Sequence, residues 1–253
     1  TDKGKICDFL NTIGQDKVEQ VLAKGYDELA DYTNAFQQKM QMGREVIADR
    51  GIWTAKKRYI LNVFDNEGVR YETPKLKMMG IETAKSSTPQ WVRGKLTDAF
   101  KIVMQGDEEE LWDFVENARM DFRRLPPEDM SSPRGCNNLG QYADPSMIYG
   151  KGTPIHVRGA LLYNHRLKEL NLDKRYEVIK NSDKIHFTYL TVPNPIRENV
   201  ISYSNVLPRE FDLHRFVDYD MQFDKSFIEP LKKVIDLIGW HTEPVASLDS
   251  FFG

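Results

Sequence analysis

Apolar residues recur every three or four positions in the first part of the chain, which is the spacing of an amphipathic helix. Residues 6–14 form a short helix of this kind that we expect to end at Gly14, and Asp16 with Glu19 then makes a capping box. The apolar positions that follow are Val18, Leu22, Gly25, Leu29, Phe36 and Met40. They predict one long helix over residues 17–42, with its apolar stripe on a sheet and its end at Gly43.

Three β-prone stretches follow this helix. Residues 44–49, 54–65 and 69–73 are predicted as antiparallel strands, and Asp65-Asn66-Glu67-Gly68 provides the turn of a hairpin between the last two. A helix laid across an antiparallel sheet is an α+β arrangement. The pattern changes after Pro74, and we place a domain boundary near residue 79.

Beyond this boundary the pattern is mainly helical. Thr88 as N-cap with Pro89 in the first turn predicts a helix that ends at Gly106. Asp107 and Glu110 form a second capping box, so the acidic run around them is explained as the start of another helix. The buried faces are expected to comprise Val92, Leu96, Ala99 and Val103 in the first helix, and Leu111, Phe114, Ala118 and Phe122 in the second.

Residues 126–157 show no periodicity, and a stretch of this length without regular structure is usually functional or disordered. A third helix is predicted through Leu161, Leu162 and Leu167. A strand pair follows at 176–180 and 185–192, and then two helical segments at about 208–218 and 223–238. Pro230 is expected to kink the second segment or to mark its first turn.

Composition narrows the function classes. The chain of 253 residues has a net charge of −3, no apolar run long enough to cross a bilayer, and two isolated cysteines, Cys7 and Cys136. Its charge is uneven: residues 44–101 carry 12 Lys and Arg against 7 Asp and Glu, whereas residues 107–129 carry 3 against 9. We therefore expect any nucleic-acid contact in residues 44–101, and no membrane association.

The segment Lys56-Lys57-Arg58-Tyr59 is the strongest candidate site. Its neighbours favour a strand, on which Lys57 and Tyr59 would share one face and Arg58 the other. A rigid strand that presents a lysine beside a tyrosine can hold a polyanion. The alternative is that these charges form a solvated helix face or a loose tail.

Two further segments have the groups that bind phosphates. Lys85-Ser86-Ser87-Thr88 places a cation and hydroxyls at a helix N-terminus, although plain helix capping explains the same residues. His156, Arg158 and Gly159 precede another helix, and the alternative there is a helix-start loop with one salt bridge. The occurrence of all three segments in one chain favours binding to a duplex backbone.

The sequence contains no pattern for a catalytic centre. The five histidines lie far apart, with no pair at helical ligand spacing, and no glycine-rich phosphate loop follows a strand. Asp218-Tyr219-Asp220 resembles a pair of metal-binding carboxylates, but a polar helix end explains it better because nothing nearby supplies a third ligand. We expect no catalytic residue and no metal ligand in this chain.

Several of these segments, taken together, resemble a known family. Lys56-Lys57-Arg58-Tyr59 is similar to the Lys-Lys-Arg-Tyr motif of B-family DNA polymerases. Met79 to Thr83 with Lys85 to Pro89 resembles the junction from palm to thumb in the T-even-type phage replicative enzymes. His156-Val157-Arg158-Gly159 resembles a His-Ile-Arg-Gly element of the same thumb, and order and spacing agree over essentially the whole chain.

The resemblance implies a fold and a set of roles. The fold would be a helix on a small antiparallel sheet, the end of the palm, over residues 1–79, then a mainly helical thumb with a β-hairpin over 80–240. Lys57 would reach the primer strand near its 3′ end in the minor groove. Tyr59 would bind a primer phosphate, and Lys56 and Arg58 would assist or hold the palm. The segments around Lys85 to Thr88 and His156 to Gly159 would grip the product duplex.

The resemblance also implies partners. The family transfers nucleotides with two Mg²⁺ ions held by palm aspartates, which would lie in an upstream N-terminal portion that also carries the fingers and exonuclease. Residues 241–253 correspond to a sliding-clamp-binding tail, with Leu248, Phe251 and Phe252 as its anchors unless these dock in the chain's own core.

We thus expect the primer–template-binding part of a replicative polymerase in the cytoplasm of a phage-infected host, inactive without the upstream chain. The alternatives are a non-catalytic DNA-binding or clamp-tethered module and an unrelated soluble enzyme.

Overall fold

The computed structural model describes residues 2–81, 83 and 85–244. The chain forms two compact units, the first reaching Met79 and the second beginning at Gly80. The first unit is a long helical run with a three-stranded antiparallel sheet, and the second combines helices with smaller sheets. The predicted α+β class is confirmed.

The first unit begins with one uninterrupted helical run in place of two separate helices. Helix α1 (Lys3–Ile13) leads through a π-helical turn (Gly14–Glu19) directly into helix α2 (Gln20–Tyr32). The break predicted at Gly14 is wrong, because Gly14 keeps right-handed helical backbone angles.

The helical run ends at Tyr32, well short of the predicted end. Asn34 adopts a left-handed conformation with a φ of 50°. The backbone N–H groups of Asn34 and Ala35 donate to the carbonyls of Asp31 and Ala30, at 3.1 and 2.9 Å. This is the Schellman pattern of helix termination, in which Asn can take the place of Gly.

The apolar stripe predicted to lie on the sheet is mostly exposed. Leu22 is half-buried, whereas Val18, Leu29, Phe36 and Met40 are exposed. The helical spacing identified an apolar face correctly but could not identify what covers it. Among the described residues of this unit, Cys7, Ile47 and Phe64 form a buried apolar cluster.

The sheet of the first unit has the order β1-β2-β3, with β1 at Val46–Ala55, β2 at Arg58–Asn66 and β3 at Val69–Met79. The β2–β3 hairpin turns at Glu67 and Gly68, whose φ angles of 51° and 87° are those that a two-residue type I′ turn requires. Strand β3 continues past its predicted end to Met79, so it is longer than the sequence indicated.

The second unit begins with the two predicted helices, α3 (Gln90–Gln105) and α4 (Glu108–Phe122). Pro89, not Thr88, is the N-cap of α3, because Pro89 still has extended backbone angles. Asp107 caps α4 as predicted and accepts a hydrogen bond from the Glu110 N–H at 2.9 Å. The buried faces comprise Val92, Leu96, Ala99, Phe100, Val103 and Met104 in α3, and Leu111, Val115, Ala118 and Phe122 in α4.

The stretch without sequence periodicity supplies an edge strand. It contains helix α5 (Pro127–Met130), strand β4 (Ser132–Cys136), helix α6 (Leu139–Tyr142), and the short strands β5 (Ala143–Asp144) and β6 (Ile148–Tyr149), which pair with each other. Helix α7 (Ile155–Glu169) follows, then β7 (Asp183–Tyr189) and β8 (Val200–Tyr203).

Strands β4, β7 and β8 form an antiparallel sheet in that order. The predicted strand pair was therefore right for β7 and wrong for its partner, because residues 176–180 form no strand. The real partner β4 contains Pro133 and Gly135, residues that disfavour a strand prediction.

The end of the chain differs from the prediction in its first helical segment. Residues 208–218 form two 3₁₀ turns, Arg209–Phe211 and His214–Phe216. The last helical run comprises α8 (Tyr219–Phe223), a π-helical turn (Asp224–Ile228), α9 (Glu229–Ile235) and a 3₁₀ turn (Asp236–Ile238). Pro230 lies in the first turn of α9, where its missing N–H is tolerated. Among the described residues, no helix has the length and apolarity that a membrane span needs.

Candidate nucleic-acid interface

The Lys56 to Tyr59 segment forms the tip of the β1–β2 hairpin. Lys56 and Lys57 are the turn, since Arg58 at the start of β2 pairs with Ala55 at the end of β1. Lys57 has a positive φ of 61°. The prediction that Lys57 and Tyr59 share a strand face is therefore wrong: the chain leaves the strand before it reaches Lys57.

This hairpin tip concentrates positive charge. Lys56, Lys57 and Arg58 are all exposed, and none of their side chains has a hydrogen-bond or ion-pair partner among the residues that the structure describes. Like charges held this close repel one another, so an anion bound at the tip relieves the repulsion. The tip has the charge and accessibility that a phosphate backbone would need.

Two aromatic residues, Trp53 and Tyr59, lie side by side on neighbouring strands beside the tip. Tyr59 is half-buried and pairs with Trp53 on one side and Met79 on the other. A Cβ built on Gly51 would lie 2.6 Å from Trp53 Cη2 and 2.8 Å from Leu61 Cδ2. Gly51 thus leaves the space that the Trp53 indole occupies against the sheet, with 65% of Trp53 still exposed.

The second unit contains a basic groove at the start of α3. Its volume is about 210 Å³, and its charged and hydroxyl side chains are Lys85, Ser87, Thr88, Ser132, Arg134, Lys225, Ser226, Glu229 and Lys233. Pro89, the N-cap of α3, has no side-chain acceptor for the N–H groups of the first turn, and such N–H groups at a helix start can bind an anion. The groove therefore contains three of the four residues predicted as an anion site between Lys85 and Thr88.

Arg134 connects this groove to strand β4. Its Nη1 donates to the carbonyl of Ser87 at 3.1 Å, which ties the segment before α3 to the sheet. Ser86 is exposed and lines a neighbouring pocket together with Thr88. The contact of Arg134 with Ser87 is one that the sequence did not reveal.

One acid moderates the charge of the groove. Lys225 Nζ donates to Glu229 Oε1 at 2.5 Å, and this hydrogen bond raises the pKa of Lys225. Lys233 has no ion-pair partner among the described residues. Lys225 and Lys233 are eight residues apart in one helical run, a spacing that returns to the same face. That spacing is the signal that could have found them, whereas Arg134 lies in a segment without periodicity.

His156, Arg158 and Gly159 lie in the first turns of α7, on its contact with β8. Ser202 Oγ donates to the His156 carbonyl at 2.8 Å. A Cβ on Gly159 would lie 2.5 Å from Ser202 Oγ, so only glycine permits this approach. Arg158 Nη2 donates to Asn199 Oδ1 at 2.6 Å. These contacts give all three residues a structural role, and their DNA-binding role stays a prediction.

The charge state of His156 follows from its surroundings. Burial, and then the nearby charge of Arg134, lower the pKa of His156 below its ordinary value of 6.5. At neutral pH the uncharged imidazole is therefore favoured in the chain itself.

The carboxylates of Asp218-Tyr219-Asp220 have structural partners. Asp218 caps α8 by accepting from the Met221 N–H at 2.9 Å. Asp220 accepts from Arg123 Nη2 at 2.7 Å. Among the described residues, no group of three or more His, Cys, Asp or Glu is arranged to hold a metal ion. The Mg²⁺ implied by the family resemblance therefore has no fitting ligand set in the described part of the chain.

Comparison with known proteins agrees with the family resemblance. No protein-family model matches the chain. Over 264 residues the chain is 32% identical to the DNA-directed DNA polymerase of Enterobacteria phage T4, which covers 100% of this chain and 29% of that protein. It is 34% identical over 264 residues to the DNA-directed DNA polymerase of Escherichia phage RB69, covering 99% of this chain and 29% of that protein. The chain thus spans less than a third of the length of these relatives, and the predicted resemblance is confirmed.

Proposed function

The chain is related over its whole length to a segment of phage DNA-directed DNA polymerases, and from this premise we propose that it is the C-terminal palm end and thumb of a B-family replicative polymerase. The observation that carries the proposal is this whole-length similarity, together with the unpaired cations at the β1–β2 tip. The task of this part is to hold primer–template DNA for a reaction that residues outside it perform.

The two basic sites divide that task. The β1–β2 tip, with Lys56, Lys57 and Arg58, holds the primer strand near its 3′ end, and Tyr59 donates its hydroxyl to a primer phosphate. The basic groove of the second unit, with Arg134 and Lys233, grips the backbone of the product duplex through cations and the N–H groups of α3. Such contacts position a duplex without reading its sequence.

Nucleotidyl transfer itself belongs to the missing portion. Two Mg²⁺ ions, bound by aspartates of the upstream polypeptide, would polarise the reacting phosphate and activate the primer hydroxyl. The residues of this chain contribute orientation: they fix the primer terminus against those ions.

The tail supplies a third contact in this proposal. Leu248, Phe251 and Phe252 would be the anchors by which the tail binds a sliding clamp. These three residues lie outside the described residues. The same polymerase would then remain on DNA for many additions.

A primer-extension assay tests the proposal. The upstream polypeptide, meaning the chain that carries the portion of the polymerase not matched here, is mixed with this chain, a primed template, nucleotides and Mg²⁺. Extension should require both chains. If this chain binds DNA but never restores extension at any ratio of the two, the alternative of a non-catalytic DNA-binding module replaces the proposal.

A further inference from the structure

One narrow stripe of the helical run in the first unit faces the rest of the unit. Its buried or half-buried residues are Gly4, Cys7, Asn11, Gly14, Glu19, Leu22, Tyr26 and Ala30. Their spacings are three or four residues, except for five across the π-helical turn. Because a π-helical turn bonds residue i to i+5, the five-residue step keeps the stripe on one side of the helix.

Much of this inner stripe is held by polar contacts. Arg44 donates to Asn11 Oδ1 from Nε at 3.1 Å and from Nη2 at 2.9 Å, and to Asp65 Oδ1 at 2.6 Å. The Arg44 N–H donates to Glu19 Oε1 at 3.0 Å. Arg70 Nη1 donates to Asp8 Oδ1 at 3.0 Å. The side of the helix that a soluble protein usually makes apolar is thus partly ionic here.

A second, apolar stripe runs along the exposed side. Its residues are Ile6, Leu10, Ile13, Val18, Val21 and Leu29, whose exposures lie between 39% and 72%. Each of these residues comes directly before a residue of the inner stripe. The π-helical turn therefore keeps the apolar residues on one side of the helix, as it does for the inner stripe. At 3.6 residues per turn the stripe lies about 100° from the inner stripe. Phe9, 64% exposed, extends it.

An exposed apolar face of this length is typical of a surface that another protein covers. The helical run from Lys3 to Tyr32 would be roughly 45 Å long at 1.5 Å per residue. The polar residues Thr12, Gln20 and Lys24 lie about 100° or more from the apolar stripe, on its side away from the inner stripe. The apolar side chains are therefore sorted onto one face, although that face is not the one that packs within the unit.

We propose that this exposed apolar stripe is the docking surface for the upstream polypeptide of the polymerase. The inference rests on the proposed function. Its reason is length: the chain matches only 29% of its relatives, so the larger part of a complete polymerase has to be held against this chain. Docking there removes the apolar stripe from water and leaves the β1–β2 tip free for DNA.

The test compares two double variants of the full chain. Phe9→Ser with Val21→Ser removes the two most exposed of the side chains named on the apolar stripe. Thr12→Ser with Gln20→Ser makes the same number of changes to the same residue type on the polar side, where the Thr12 hydroxyl donates to the Asp8 carbonyl. Isothermal titration with the purified upstream polypeptide measures affinity, and thermal unfolding checks that both variants fold.

The apolar-stripe variant should lose about tenfold or more in affinity for the upstream polypeptide, since few buried apolar anchors dominate such interfaces. The control should bind within about twofold of wild type, and both should keep wild-type affinity for primer–template DNA. If both variants bind the upstream polypeptide with equal affinity, the stripe is not its docking surface. Primer extension by the wild-type pair would still support the proposed function in that case.

Two other results also contradict the inference. In the first, wild type sediments as a dimer, the apolar-stripe variant sediments as a monomer, and that variant still binds the upstream polypeptide as wild type does. This result would mean that a second copy of this chain covers the stripe. Absence of any binding or extension by the wild-type pair overturns the proposed function and the docking surface together.

Discussion

Lys57 takes a backbone conformation that a lysine adopts at a cost. A φ of 61° places it in the left-handed region, where glycine is the usual residue and other residues cost roughly 1–3 kcal/mol. The neighbouring hairpin has Gly68 at a comparable position of its turn. A charged side chain kept at a strained, exposed tip is consistent with a role in binding.

Replacement of Lys57 by Gly should therefore separate stability from binding. Lys57→Gly is expected to raise the free energy of unfolding by about 1 kcal/mol, because the strain is relieved. It should also weaken primer–template binding at every sequence and reduce the log–log salt slope by about 0.9, the value for one phosphate contact. Denaturant unfolding and fluorescence anisotropy at several salt concentrations measure the two effects.

Lys24→Ala is the control for Lys57→Gly, because it removes one exposed lysine from α2. An unchanged slope in Lys57→Gly, or an equal loss in Lys24→Ala, would contradict a specific phosphate contact at the tip.

Asp65 is the buried centre of the ionic contacts between the helical run and the sheet. Burial alone raises the pKa of Asp65, but the hydrogen bonds from Arg44, the Gly68 N–H and Arg70 outweigh it and lower the pKa below the ordinary 3.8. A lowered pKa in the folded state means that ionised Asp65 stabilises the fold. This stabilisation is complete above about pH 4 and is lost as the pH falls through the lowered pKa.

Asp65→Asn should accordingly destabilise the chain most at neutral pH. Loss of one partner of a buried ion pair costs roughly 3 kcal/mol, because the remaining charge of Arg44 is left without its partner. The difference in unfolding free energy between wild type and variant should shrink at pH 3, measured by denaturant unfolding. Asp8→Asn, which removes a largely exposed partner of Arg70, should cost less than about 1 kcal/mol. A pH-independent difference for Asp65→Asn would contradict the ionic role.

At the scale of elements, the close contact of α7 with β8 depends on the absence of a Cβ at Gly159. Gly159→Ala would bring a Cβ within 2.5 Å of Ser202 Oγ and 2.7 Å of the Ser202 backbone nitrogen. We expect a loss of about 1–3 kcal/mol in unfolding free energy, since the backbone of β8 has to move. Thermal unfolding measures this effect.

Gly94→Ala provides the matched control in helix α3. Apart from the adjoining backbone of its own helix, no described atom lies within 4 Å of the Cβ that it would introduce, so it should stabilise the chain by up to about 1 kcal/mol through helix propensity. If Gly159→Ala is also stabilising, the close packing of α7 on β8 is not what requires glycine there, and a direct DNA contact becomes the better explanation.

Helix α9 carries two adjacent lysines that lie in different surroundings. Lys233 lines the basic groove, whereas Lys232 lines a different pocket, beside Trp112 and Glu116. Lys233→Ala should weaken duplex binding and reduce the salt slope by about 0.9, and Lys232→Ala should change neither. Anisotropy titrations with a blunt duplex make the comparison. Equal effects of the two substitutions would mean that only net charge matters.

At the scale of the whole molecule, the tail and the remainder are expected to act separately. Deletion of residues 247–253 should leave distributive primer extension by the two-chain enzyme unchanged and abolish its stimulation by a sliding clamp. Product lengths on a long primed template, with and without clamp, provide the measurement. Equal loss of both activities would indicate that Leu248, Phe251 and Phe252 belong to the chain's own core.

The sequence by itself determined the α+β class, the three strands of the first sheet, helices α3, α4 and α7, and the relation to phage polymerases. These follow from local periodicity, caps and turn residues, and from motifs that are contiguous in the chain. Only the tertiary structure decided which face of the first helix is covered, that β4 pairs with β7, that Lys57 lies in a turn, and that Arg134, Lys225 and Lys233 join Lys85 to Thr88. The physical reason is that periodicity records which residues are apolar, whereas burial, strand pairing and a shared groove depend on contacts between residues far apart in the chain.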